Sequence, residues 1–305
     1  MSSQEFVDAA TRGSEGTKMP RAKWDFVSRI ETSLPPLEEQ RAIARVLGAL
    51  DDKIELNRRM NETLEAIAKA LFKSWFVDFD PVRAKLDGRW RHGESMPGLP
   101  AEHYDLFPDR MVDSELGEIP ERWHIKLLGD VADVKSGKRP QIRKPKREEG
   151  ADVPIFGGAG PMAFTSNALY STPVVITGRV GTLGIVHRIT YPVWPSDNTL
   201  IAIPKRDAEF AWLFGVVNEL DLKNLNRGSS HPLITQRDLK AQTITVPQEA
   251  VATAFNDFTR MIHERTVSNE RESRTVADVR DTLLPKLISG EIRVSDAERA
   301  AERVA

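Results

Sequence analysis

Between Lys135 and Arg147 the sequence KSGKRPQIRKPKR carries seven basic side chains and no acidic one: Lys135, Lys138, Arg139, Arg143, Lys144, Lys146 and Arg147. Cations at that density suit phosphate. Each one seated on a phosphate releases a condensed counterion, so affinity grows with their number and falls with salt. Glu148 and Glu149 follow directly and partly cancel the field, which leaves a merely solvated charged loop as the alternative. Three further stretches join glycine to side chains able to approach base edges. These are Gly157 to Gly160 with Gly158 at its centre, Gly178 to Gly181 around Arg179, and Asn226 to His231 with Arg227 and Ser230. Glycine permits close backbone approach, an arginine fork matches guanine O6 and N7, and Ser, Asn or His position by hydrogen bonding. Each loop also fits an ordinary tight turn between strands.

Other chemistries find less support. Gly178, Gly181 and Gly184 in GRVGTLG have the wrong spacing for a dinucleotide fingerprint, no helix pattern follows, and no G-x-x-x-x-G-K-[ST] phosphate loop occurs. The six histidines are scattered singly and there is no cysteine, so no metal site is expected and disulfides and thiolate chemistry are excluded. Asp78 and Asp80 flank Phe79 ahead of Pro81 and read as turn hydrogen-bonders. Adjacency of Ser230 and His231 is no sign of a triad. Catalytic residues are therefore expected to be none. A net charge of −2 argues against a uniformly basic coat, so nucleic-acid contact has to come from a local patch. No segment approaches the ~20 apolar residues of a membrane span, and MSSQEFVDAATRGSEG lacks the pattern of an export signal. Together with the absent cysteines this places the expected location in the cytoplasm.

The elements that must carry these loops are legible from periodicity. From Leu37 to about Phe76 the chain has no proline, and residues 43, 47, 50, 54, 57, 61, 64, 68, 71 and 75 step by four and three. That is coiled-coil spacing. A second long helix is expected from about Glu249 to Ser289, with Phe255, Ile262, Asn269, Val276 and Leu283 on the same stepping. The two read as one repeated unit, since Pro35, Ile43, Leu50, Asn57, Leu64, Ile67 and Leu71 recur 212 positions later as Pro247, Phe255, Ile262, Asn269, Val276, Val279 and Leu283. Ile43, Leu50, Ile54, Asn57, Leu64 and Leu71 of the first helix are expected to face Phe255, Ile262, Asn269, Val276 and Leu283 of the second. The seam asparagines would fix register and direction.

Between the helices, short Val/Ile/Thr runs bounded by Gly or Pro indicate a mixed, mostly β domain. The expected fold class is α+β, with two long helices packed as an antiparallel coiled coil. The expected segments are 1–36, 37–76 (first helix), 77–115 (linker or meander), 116–246 (β-rich domain), 247–290 (second helix) and 291–305 (tail).

Three blocks carry a family resemblance over most of the chain from Leu34 to Val294. LPPLEEQRAIARVLGALDDKIELNRRMNETLEAIAKALFKSWFVDFDPVRAK resembles the central region of type I restriction-modification specificity subunits. LGEIPERWHIKLLGDVADVKSGKRP resembles the start of one of their target-recognition domains, and Val279 to Ile292 resembles their endings. The resemblance implies a non-catalytic DNA-reading subunit in which each recognition domain reads half of a bipartite site. It implies no cofactor in this chain, with S-adenosylmethionine expected in the partner methyltransferase subunits and a restriction subunit as a possible further partner. IFGGAGPMAF, ITGRVGTLG, WPSDNTLI and RGSSHPLIT are similar to the family's recurring recognition segments, which adds Asn198 to the DNA-contact candidates. Arg122 departs from the pattern, standing where the family has glycine. EGTKMPRAKWDFVSRIETSLPP resembles only the tail of a recognition domain, which implies a half-type subunit with one complete domain and a homodimer that restores two. A helical assembly or regulatory protein that occupies methyltransferase docking surfaces without reading DNA is the rival expectation.

Overall fold

Forty residues from Leu37 to Phe76 form one unbroken helix, and forty from Glu249 to Ile288 form another. The computed structural model describes residues 4–15, 21–30, 35–226 and 232–304. It divides into two compact units, residues 1–65 with 263–305 and residues 66–262.

In the first unit the long helices run antiparallel. Passing up the first helix through Lys53, Asn57 and Asn61, the partners pass down the second through Glu272, Asn269 and Thr266. Ile43, Val46 and Leu50 are buried with Val276, Leu283 and Leu287, and Ile54 packs half-buried against them. At the centre, Asn57 and Asn269 are 2% and 1% exposed. Neither amide is orphaned. Asn57 Nδ2 donates to Glu272 Oε2 at 2.7 Å and to the Asn269 carbonyl at 3.4 Å, while Asn269 Nδ2 donates to Asn61 Oδ1 at 2.7 Å. Asn61 Nδ2 reaches the Thr266 carbonyl at 3.2 Å. Equivalent positions of the repeat thus meet each other, so an approximate two-fold axis passes between Asn57 and Asn269. Gly290, at φ 74°, follows the end of the second helix in the left-handed conformation that such ends favour. Beyond it, the stretch expected as a tail forms a helix, Val294–Glu302, because Ala297 and Ala301 lie one turn apart and bury against the seam.

In the second unit the apolar face of the first helix has drifted by about one residue from strict heptad stepping. Phe72, Trp75 and Phe76 are buried, whereas Leu71 is half-buried and Ile67 is 44% exposed; Leu64, at the end of the first unit, is also half-buried. A straight α-helix drifts by ~20° per heptad, which accounts for the rotation. Phe255 packs at 5.0 Å from the Phe76 ring and 5.5 Å from Trp75, while Ile262 is half-buried. The stretch 77–115, expected as a linker, holds a helix at Asp80–Leu86, and its Met111–Ser114 segment pairs with Gly117–Pro120. Phe79, Trp90 and Phe107 join the same aromatic cluster.

The β-rich domain is built on a four-stranded antiparallel sheet. Its strands are β1 (Ala132–Ser136), β4 (Val174–Gly178), β5 (Val186–Ile189) and β7 (Thr199–Pro204), in the order β5-β4-β7-β1. A hairpin of β2 (Val153–Gly157) and β3 (Gly160–Thr165) extends through β6 (Trp194–Pro195), which runs parallel to β2. Period-two alternation explains the layering. Val175, Leu200 and Ala202 face a core with Phe210, Leu213 and Val217 of helix Phe210–Glu219, while Val174, Ile176 and Ile201 face Phe156 of β2. Apolar contact on both faces is why β4 reads as an unbroken VVIT run. Together with the antiparallel helices, this is the α+β class expected from sequence.

Within this unit, Arg206 binds Glu209 at 2.7 Å and Glu249 at 2.6 Å, joining the sheet to the start of the second helix. Burial raises the Glu209 carboxyl above its usual range, with the Arg206 charge opposing it.

Arg122 is at φ 67°, so the departure from glycine noted in the sequence falls on left-handed backbone. An L-residue there is disfavoured by ~1–2 kcal/mol, against ~0.4–1 kcal/mol of unfolded-state entropy that glycine would add. Arg122→Gly is therefore expected to raise the melting temperature by roughly 1–3 °C in a thermal scan. A drop would mean the side chain carries a compensating contact.

Candidate nucleic-acid interface

The basic run starts within β1 at Lys135, and the two residues that follow the strand, Gly137 and Lys138, are pinned. Gly137 N donates to the Thr199 carbonyl at 3.1 Å and Lys138 N to the Pro195 carbonyl at 3.0 Å, while the Trp194 indole donates to the Lys138 carbonyl at 2.7 Å. A Cβ at Gly137 would lie 2.1 Å from the Ser196 carbonyl oxygen, so only glycine allows this approach. From there every residue through Gly150 except half-buried Pro140 is exposed. Lys144 pairs through its backbone with Phe164 of β3, at 2.9 and 2.8 Å, which ties the run to the hairpin. The Lys144 ammonium binds Glu148 at 2.9 Å, and that hydrogen bond raises its pKa. Lys135 sits 3.9 Å from Asp133. Lys138, Arg139, Arg143, Lys146 and Arg147 are exposed and form no ion pair among the described residues.

The other loops interlock. Gly158 is buried: a Cβ on it would lie 2.7 Å from the Thr182 carbonyl oxygen and 2.9 Å from Gly178 Cα. Expected to admit a base, Gly158 instead admits another loop, and its carbonyl is held at 3.0 Å by His187 Nε2. Arg179 N donates to the Asn198 carbonyl at 2.8 Å, and Ile234 N donates to the Arg179 carbonyl at 2.9 Å. Gly181 N reaches the Pro232 carbonyl at 3.2 Å, and Asn226 Oδ1 accepts from Leu233 N at 2.8 Å. Arg179 and Asn198 are thus brought together, with Asn198 exposed and Arg179 half-buried, its Nε without a partner among the described residues. Arg227, Ser230 and His231 lie outside the described residues, between the Asn226 and Leu233 ends of this connected set.

Gly137 and His187 position these loops and were missed in the sequence. His187 carried no local signal, because its partner carbonyl lies 29 residues away. Gly137 could have been flagged as the glycine inside the basic run.

The close approach at Gly178 gives a direct test. A Cβ there would stand 1.8 Å from the Thr182 carbonyl oxygen, and backbone cannot yield as a side-chain tip can. Gly178→Ala is expected to lower stability by ~1–3 kcal/mol in urea unfolding. In electrophoretic shift assays it is also expected to reduce discrimination between target and unrelated duplex more than it reduces overall binding.

Residues 116–246 contain 17 Lys and Arg against 13 Asp and Glu, a surplus of four in a chain whose total is −2. The surplus is thus concentrated in the β-rich domain. Among the described residues no group of three or more His, Cys, Asp or Glu could hold a metal ion, and no helix is long and apolar enough to cross a membrane.

The family described as "Type I restriction modification DNA specificity domain" matches residues 4–66 and 120–270. The chain belongs to this family. Among curated relatives of this specificity family, the HindI type I restriction enzyme specificity subunit of Haemophilus influenzae is 29% identical over 347 aligned residues, covering 94% of this chain and 74% of that protein. The MjaIX specificity subunit of Methanocaldococcus jannaschii is 25% identical, covering 93% of this chain and 65% of that protein. The chain therefore spans about two thirds to three quarters of the length of these relatives. The crystal structure of a type I restriction-modification S subunit from M. genitalium superposes with a TM-score of 0.55 at 16% identity, over 93% of this chain and 72% of that one. That likeness supports the specificity-subunit fold.

Proposed function

We propose that this chain is the DNA-reading, non-catalytic subunit of a type I restriction-modification complex. The observation that carries the proposal is the family match, which spans both the first-helix segment and nearly the whole β-rich domain. The connected loops support it from the geometry. In this reading the domain at 116–246 binds one half of a bipartite duplex target. Lys138, Arg139, Arg143, Lys144, Lys146 and Arg147 seat phosphates, and Arg179, Asn198, Arg227, Ser230 and His231 are the candidates for base edges. Gly158 serves beneath them as a packing position. The paired helices hold the reader and give methyltransferase subunits a surface to dock on. Those partners supply S-adenosylmethionine chemistry, a restriction subunit is a possible further partner, and the complex works on DNA in the cytoplasm. The rival reading, an assembly factor that never reads DNA, has nothing in the family match to favour it.

Modification-sensitive sequencing of a genome with this chain present and deleted tests the proposal. A bipartite methylated motif should vanish on deletion. An unchanged methylation map would overturn the reading.

One reading domain covers one half-site, so the other half needs a second domain. In this proposal a second copy of the chain provides it, through a two-fold arrangement that implies a palindromic split target. Light scattering at micromolar concentration, with and without methyltransferase subunits, should report two copies per particle. One copy under both conditions would rule the homodimer out.

A further inference from the structure

Arg188 is a half-buried cation with no ion-pair partner among the described residues. It stands on β5, the edge strand, opposite Val175 of β4. Val175 belongs to the core beneath helix Phe210–Glu219, so Arg188 enters the sheet on that covered face. Its guanidinium carbon lies 5.3 Å from the centre of the Phe210 ring, and its Nε is buried without a hydrogen-bond partner among the described residues. Among the described residues no carboxylate pairs with it, and desolvation draws its pKa down to about 10.

A guanidinium held this way is unfavourable for folding. Taking the Nε–H out of water without a partner carries a desolvation penalty, and methionine would fill the same space without it. Positions that break such a rule are expected where a ligand completes them. The planar fork of arginine suits an anion that offers two oxygens in one plane, and phosphate does so.

We propose that Arg188 is a phosphate seat at the edge of the four-stranded sheet, occupied by one backbone phosphate of bound duplex and separate from the basic run at 138–147. The proposal rests on the DNA-reading function given above. Phosphate is favoured over a partner's carboxylate on two grounds. The surrounding domain carries a surplus of four basic residues. In addition, β5 is the strand that leaves the Gly178–Gly184 loop, and the neighbouring His187 holds the Gly158 carbonyl.

Arg188→Met and Arg188→Lys in the full chain test it, with inorganic phosphate and a target duplex as separate probes. Phosphate is expected to raise the melting temperature of the wild type with concentration and to leave Arg188→Met unmoved. For the duplex, the slope of log K against log salt should fall by ~0.9 in Arg188→Met, the share of one phosphate. Arg188→Lys should keep the slope while binding more weakly, because it keeps the charge and loses the fork. Without ligand, Arg188→Met should melt no lower than the wild type. If the duplex binds but Arg188→Met changes neither the phosphate response nor the slope, the seat is refuted and the DNA reading stands. If phosphate stabilises the wild type through Arg188 and no duplex binds, the seat stands and the DNA reading fails. A large drop in ligand-free melting temperature with both responses intact would make Arg188 purely structural and overturn the proposal.

Discussion

Replacing Arg143, Lys144, Lys146 and Arg147 together by glutamine is expected to weaken duplex binding by ~10²–10³-fold near physiological salt, while the melting temperature holds. The range follows from counting contacts. Each phosphate contact contributes ~0.9 to the slope of log K against log salt, and its contribution vanishes near 1 M. Four contacts give a slope change of ~3.6 and about a thousandfold at 0.15 M. Lys144 is already bound to Glu148 at 2.9 Å, and if that pair persists the change falls to ~2.7 and somewhat above a hundredfold. Stability should not move, since all four side chains are exposed and the Lys144 tie to Phe164 runs through the backbone. Titrations at several salt concentrations decide the matter. An unchanged slope would leave the run as a solvated loop and shift the phosphate contacts elsewhere.

Asn57→Ala should destabilise the helix pair by ~2–3 kcal/mol in urea unfolding, although only a few atoms are removed. The loss comes from what is left behind: the seam loses packed atoms and the Asn269 carbonyl loses its cross-helix donor, an unsatisfied buried group costing ~1–3 kcal/mol, while partly exposed Glu272 keeps Lys53. Replacing Asn57 and Asn269 together by leucine should recover much of that loss, since an apolar pair needs no partners. What the double variant gives up is register, for leucines tolerate a shifted or parallel alignment that the asparagines penalise. Acid titration gives a second readout. The Glu272 carboxyl is held below its usual range, first by the hydrogen bond from Asn57 and then by Lys53. A depressed carboxyl stabilises the fold above its unfolded pKa, and that contribution is lost as pH falls through the folded value. Asn57→Ala should therefore flatten the acid limb of the stability curve. Equal losses at neutral and acidic pH would show that Glu272 is not coupled to Asn57.

The fold class was legible because it rests on local periodicity. The VVIT run of β4 announces a strand with apolar neighbours on both faces, and the matched asparagines 212 residues apart announce two copies of one helix. Where reading failed, the cause was distance or drift. Leu71 was placed in the seam by heptad counting, but a straight helix rotates it to a half-buried position and buries Phe72 beside it. The helix Val294–Glu302 was hidden because two alanines make a weak apolar stripe until a partner surface exists to bury them. The loops showed their composition and concealed their arrangement. Nothing near Gly158 in the sequence indicates that it rests on Gly178 and Thr182, or that His187 closes over it. Nothing in the sequence around Arg188 marks it as a side chain whose Nε has no partner among the described residues.

The interlocked glycines also bear on how such a reader can evolve. Because Gly158, Gly178 and the Thr182 carbonyl occupy one another's space, enlarging a side chain in one loop displaces the next, so mutations there are coupled. New specificity then arises poorly by single steps within a loop and readily by exchanging the whole segment from β1 to the strand Thr243–Val246, which brings its own matched loops along. Recombination, with the paired helices as constant borders, becomes the accessible route between targets.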